Sequence, residues 1–68
     1  MSFGSRIKQL RLTLGWSQDN LAERCGLQST AISHYESDRR EPTLTNVVKI
    51  CKGFGVGPEI LIKLKDYK

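Results

Sequence analysis

The chain has 68 residues, 38% of them hydrophobic and 26% charged, which leaves room for one small core and excludes both wholesale disorder and a second catalytic or sensory domain. Eleven Lys and Arg against seven Asp and Glu leave a formal charge of +4, a balance that suits a polyanionic partner without naming one. No apolar run reaches membrane-spanning length, no signal peptide precedes Ser2, and one histidine with two isolated cysteines lacks the spacing of a structural zinc site, so a cytoplasmic protein without membrane or metal is expected.

No internal repeat or linker splits the chain, and residues 1–68 read as a single domain. Phe3, Ile7, Leu10 and Leu14 recur at the spacing of one helical face, and Gly15 supplies a stop, giving a first helix over Ser2 to Leu14. Ser17 is a good N-cap for a second helix, with Asp19 and Asn20 in its first turn and Trp16 placed as a hydrophobic staple. Leu21, Ala22 and Cys25 form its inner stripe, and Gly26 ends it.

A third helix begins near Gln28 or Ser29, with Ile32 and Tyr35 inward and Ser29, Thr30, Ser33 and His34 outward. Asp38 to Pro42 is polar, charged and closed by proline, hence a loop. Thr43 or Thr45 caps a fourth helix with Val47, Ile50, Cys51 and Phe54 inside, and Pro58 opens a fifth carrying Ile60, Leu61 and Leu64. Cys25 and Cys51 fall on apolar faces, where a free cysteine behaves as a small hydrophobe; a disulfide is the less expected alternative. The fold class is all-α, a compact bundle of five short helices.

From Gln18 to Ser37 the spacing has a physical cause. Two helices crossing steeply need a small residue where they approach, here Ala22, a glycine at the corner, here Gly26, and apolar contacts around the angle, here Leu21, Cys25, Leu27, Ile32 and Tyr35. In the stretches SQDNLAERCGLQSTAISHYESDRREP and LTNVVKICKGFGVGPEILI the chain resembles the lambdoid phage repressor and Cro-like (Xre-type) helix-turn-helix domains, over about Ser5 to Ile62.

What the resemblance implies is concrete. The outer row Ser29, Thr30, Ser33 and His34 faces base edges in the major groove: hydroxyls donate or accept, the Thr30 methyl meets a thymine methyl, and His34 donates to guanine. Short polar residues also solvate any exposed helix, so the surrounding pattern decides this reading. Gln18 matches a position that grips the DNA backbone, the Ser17 to Asp19 amides point at the same phosphate, and Arg39 and Arg40 lie beside phosphates. Gln28 stands where the family has a Ser or Thr cap; its side chain is left for a phosphate or a base. Arg11 and Glu36 match a partly buried structural ion pair.

The resemblance further implies a transcription regulator, most often a repressor, that binds double-stranded DNA as a weak homodimer tightened on a pseudo-palindrome with half-sites about 34 Å apart. The expected dimer surface is Gly57 to Leu61 and the chain end, with Ile60 or Ile62 exposed. No catalytic set, cofactor site or small-molecule substrate site is visible, so an enzyme is not expected. Two other readings stay open: a protein-interaction or antitoxin-like module, and the N-terminal domain of a longer repressor. Met1 fits a natural start and nothing fixes Lys68 as a natural end.

Overall fold

The computed structural model describes residues 2–57. Among them it builds four helices, α1 (Phe3–Thr13), α2 (Gln18–Cys25), α3 (Ser29–Glu36) and α4 (Leu44–Phe54), and no strand. The all-helical class stands, with four described helices where the sequence suggests five: the fifth, with Pro58, Ile60, Leu61 and Leu64, lies outside the described residues, as do the expected dimer residues Ile60, Leu61 and Ile62.

Three of the four helices start on a side chain that satisfies a first-turn amide. Ser2 Oγ accepts from the Ser5 amide at 3.1 Å, and Thr43, not Thr45, caps α4 by accepting from the Asn46 amide at 3.3 Å. At α2 the cap is reciprocal: Ser17 Oγ accepts from the Asn20 amide at 3.0 Å while Asn20 Oδ1 accepts from the Ser17 amide at 3.1 Å. Gln28 precedes α3 with no side-chain capping bond.

The corner between α2 and α3 is closed by Gly26 at φ 70°, ψ 31°, which lets the Leu27 amide donate to the Ala22 carbonyl at 2.9 Å. A Cβ at Gly26 would meet nothing within 4 Å, so the left-handed backbone alone selects glycine here.

The apolar stripes of α2, α3 and α4 converge on Leu21, Ile32 and Ile50, which are essentially inaccessible to solvent, with Ile7, Ala22, Cys25 and Tyr35 around them. Helix α2 packs against both α3 and α4, and α1 packs on α3. Val47 and Cys51 bury a smaller cluster with Phe3 and Val56 against it. Leu14 departs from its expected inner place and is 45% exposed. It caps α1 at the point where the chain turns away, and the buried positions of that helix are Gly4, Ile7 and Arg11. Trp16 packs against the cluster that contains Leu21 and makes two further contacts: its ring stacks on Phe54 of α4 at 5.7 Å between centroids, and the Arg24 guanidinium lies 4.1 Å from the ring centre.

Two glycines matter for want of a side chain. A Cβ on Gly53 would collide with Cys25 Sγ and come within 3.2 Å of the Cys25 backbone nitrogen, so α4 can approach α2 only at a glycine. Gly4 plays the same part where α1 meets the Tyr35 carbonyl. Gly53→Ala removes a poor helix former but overpacks this crossing, and urea denaturation should show a net loss of about 1–3 kcal/mol. Adding Cys25→Ala should restore part of that loss; strictly additive effects of the two substitutions would contradict the contact.

Cys25 and Cys51 are both free and buried. Burial pushes the Cys25 thiol up to about 11 from 9.0 and raises Cys51 as well. A thiol whose pKa is raised by folding leaves stability intact below pH 9, where both states hold the proton. As pH climbs from 9 towards 11 the unfolded chain loses that proton first, so stability falls by an amount on the order of 2 kcal/mol from this group. Denaturation series across that interval should show a shallower decline in Cys25→Ala, and alkylation of the native thiols near pH 7 should proceed only at the rate of unfolding.

Candidate nucleic-acid interface

Helix α3 is only eight residues long, yet three separate devices fix its orientation. Its apolar side buries Ile32 and Tyr35, and the Tyr35 hydroxyl accepts from Asn46 Nδ2 of α4 at 2.8 Å. Its C-terminal end closes with Asp38 at φ 61°, the amides of Asp38 and Arg39 donating to the carbonyls of Tyr35 and His34 at 3.2 and 2.9 Å. The Asp38 carboxylate accepts a hydrogen bond from the Ser2 hydroxyl at 2.9 Å, tying that end to the start of α1.

The third device is the Arg11 guanidinium. Nε donates to Glu36 Oε2 at 2.8 Å, Nη2 donates to Glu36 Oε1 at 2.9 Å, and Nη1 donates to the Trp16 carbonyl at 2.8 Å. The two side chains are 9% and 3% exposed. The hydrogen bonds to Glu36 and the Glu36 charge hold the Arg11 pKa above its ordinary range, against burial, which favours the neutral form. One side chain thus joins α1, the turn before α2 and the last residue of α3.

With α3 held this way, its remaining face is open. At about 100° per residue, Thr30, Ser33 and His34 project away from Ile32 and Tyr35, and Ser29 sits at the border of the buried stripe. Thr30 is exposed, and Ser29, Ser33 and His34 are half-buried. None of the four side chains makes a hydrogen bond among the described residues. Gln28 is exposed just ahead of them. Arg39 and Arg40 are exposed just beyond, their amides anchored on the His34 carbonyl at 2.9 and 3.3 Å. Ser17 and Gln18 stand at the start of α2; the Ser17 amide is taken by Asn20, and Gln18 Nε2 donates to Glu36 Oε1 at 3.3 Å.

Sequence reading omits the Ser2–Asp38 and Tyr35–Asn46 bonds, the Trp16 carbonyl as an acceptor for Arg11, and the Gln18–Glu36 contact. A polar residue inside an apolar stripe, as Arg11 lies among Ile7, Leu10 and Leu14, is the one signal in the sequence that flags a buried partner. The other contacts join residues 11 to 36 positions apart and leave no periodic trace.

A Glu36 left buried without its guanidinium is costly, whereas an apolar pair of similar volume is not. Arg11→Met should cost about 3–5 kcal/mol in urea denaturation, and Arg11→Met with Glu36→Leu should recover most of it. A double variant as unstable as the single would show that the pair contributes something other than charge compensation.

The sequence profile of the helix-turn-helix family matches residues 7–61. The control protein C.BamHI of Bacillus amyloliquefaciens is 41% identical over 61 residues, covering 88% of this chain and 75% of that protein. The crystal structure of the restriction-modification controller protein C.AhdI from Aeromonas hydrophila superimposes with a TM-score of 0.81 at 32% identity, covering 87% of this chain and 89% of that one. The P22 c2 repressor, solved in complex with a synthetic operator, gives 0.82 at 29% identity, covering 96% and 98%. Against two HTH-type regulators of Bacillus subtilis the chain spans 56% and 49% of the relative's length.

Proposed function

Because this chain belongs to the helix-turn-helix family, and so to a group of DNA-binding transcription regulators, we propose that it regulates transcription by laying α3 in the major groove of double-stranded DNA. One observation carries this reading. The side chains of Ser29, Thr30, Ser33 and His34 have no hydrogen-bond partner among the described residues, on a helix whose other sides are fixed by core packing and a buried ion pair. Rigid placement with free donors and acceptors is what base-edge recognition requires.

The assignment of roles follows from position. Ser29, Thr30, Ser33 and His34 read bases. Gln18, the Ser17 hydroxyl, Arg39 and Arg40 contact phosphates on either side of the groove, with Gln28 reaching a phosphate or a base beside them. The domain covers residues 1–68 and works in the cytoplasm, where its DNA lies. A module of this size contacts too few base pairs to select a site alone, so two copies bind a pseudo-palindrome as a weak homodimer that tightens on DNA. Occupancy of such a site blocks polymerase, which makes repression the expected outcome.

Selection from a random duplex pool should return a pseudo-palindromic motif, and sedimentation should find two chains per selected duplex. Thr30→Ala or His34→Ala should cost about 1–3 kcal/mol and relax preference at one or two base pairs, while Arg39→Ala should weaken all sequences alike and flatten the salt dependence. An unchanged motif in a variant with all four reader residues replaced by alanine would remove the reader assignment.

A further inference from the structure

Glu36 is 8% exposed, and its Oε1 receives two donors, Arg11 Nη2 at 2.9 Å and Gln18 Nε2 at 3.3 Å. Gln18 is half-buried at the first position of α2, and its carboxamide makes no other hydrogen bond among the described residues. A free glutamine carboxamide presents its oxygen or its NH2 group with equal ease. Beside an ionised carboxylate, which only accepts, the NH2 group must turn towards the acid. That group carries two hydrogens; Glu36 takes one and leaves the other for an acceptor outside the protein.

Charge would ordinarily spoil this arrangement, because a carboxylate so near a phosphate repels it. The Arg11 guanidinium, bonded to both Glu36 oxygens, cancels that charge at its source. We propose that Glu36 is a positioning residue for DNA binding: its carboxylate fixes the Gln18 carboxamide as a donor aimed at a backbone phosphate, and Arg11 keeps the acid from repelling that phosphate. The inference rests on the DNA-binding reading above and extends it from the surface residue to the buried pair behind it. The same ion pair that holds α3 also sets the hydrogen-bonding direction at the start of α2, so the base-reading row and a phosphate contact share one anchor.

The test is a double-substitution cycle. Affinity for the selected duplex at fixed salt is measured by fluorescence anisotropy for wild type, Gln18→Ala, Glu36→Gln and the double variant, each checked for folding by circular dichroism. Side-chain amide NMR of Gln18 in the DNA-free protein runs beside it. Gln18→Ala should weaken binding by about tenfold, the loss of one charge-assisted hydrogen bond, Glu36→Gln by at least as much because it also loosens α3, and the double should lose less than the product of the two single losses. In the free wild-type protein one Gln18 Nε2 proton should be shifted and protected from exchange beyond the inequality common to carboxamide pairs, and Glu36→Gln, which offers an acceptor without its charge, should reduce that excess.

Gln18→Glu adds a reading that does not depend on altering the buried pair. It removes the donor and sets a second carboxylate against Glu36, so it should bind more weakly than Gln18→Ala if the geometry is as proposed. Losses that multiply in the double variant, or full affinity in Glu36→Gln, overturn the proposal. Wild type that binds while Gln18→Ala and Gln18→Glu match it leaves DNA binding standing and this inference fallen. A wild-type chain with no salt-dependent affinity for any duplex overturns the DNA-binding reading itself, and the inference with it.

Discussion

The bidentate contact between Arg11 and Glu36 is the constraint that ties the outward row of α3 to the start of α2. An eight-residue helix such as α3 has no stability of its own in water and takes its orientation from what it packs against. Ile32 and Tyr35 supply burial, but apolar contacts are non-directional and permit a helix to roll by small angles. Hydrogen bonds with fixed geometry do not. The planar guanidinium meets two carboxylate oxygens in one orientation, and its third donor, on the Trp16 carbonyl, refers that orientation to the turn before α2.

A second brace acts at the opposite side of the same helix end. Asp38 occupies the left-handed conformation usually given to glycine, and its carboxylate then reaches the Ser2 hydroxyl. Glycine could make the same turn but could not make that bond. The close approach at Gly4 completes the contact, because any larger residue there would be driven into the Tyr35 carbonyl. Arg39 and Arg40 therefore leave a corner that is fixed at the His34 carbonyl and braced to α1, which fixes their backbone beside the end of α3.

Much of this was legible in the chain itself. Local rules suffice for the cap at Ser17, the corner at Gly26 and the inner positions Leu21, Ala22, Ile32, Tyr35, Val47 and Ile50, since each depends on neighbours within a turn or on helical period, while they leave Thr43 and Thr45 as equal candidates for the cap of α4. Leu14 shows where period stops being informative: it continues the stripe of α1 in angle, but the helix has ended there and the side chain is left exposed. Trp16 shows the same limit from the other side. It packs against the cluster that contains Leu21, as a local staple would, but its stacking on Phe54, far along the chain, leaves no local trace. The outward row of α3 was visible as a polar face, whereas the hydrogen bond that turns Gln18 towards Glu36 depends on a meeting of α2 and α3 that only the tertiary fold supplies.

Stability alone would not favour an ion pair in the core of so small a domain, because desolvating two charges offsets most of their attraction and well-packed apolar residues do as well or better. What an apolar pair cannot do is impose direction on a third group. The Glu36 carboxylate serves three donors from two side chains, and Arg11 adds the Trp16 carbonyl, so four segments of chain are held in mutual register by two residues. An apolar replacement would keep the helices together while leaving the Gln18 carboxamide free to turn either way. The buried charges are therefore better explained by the alignment of an interface than by the stability of a core.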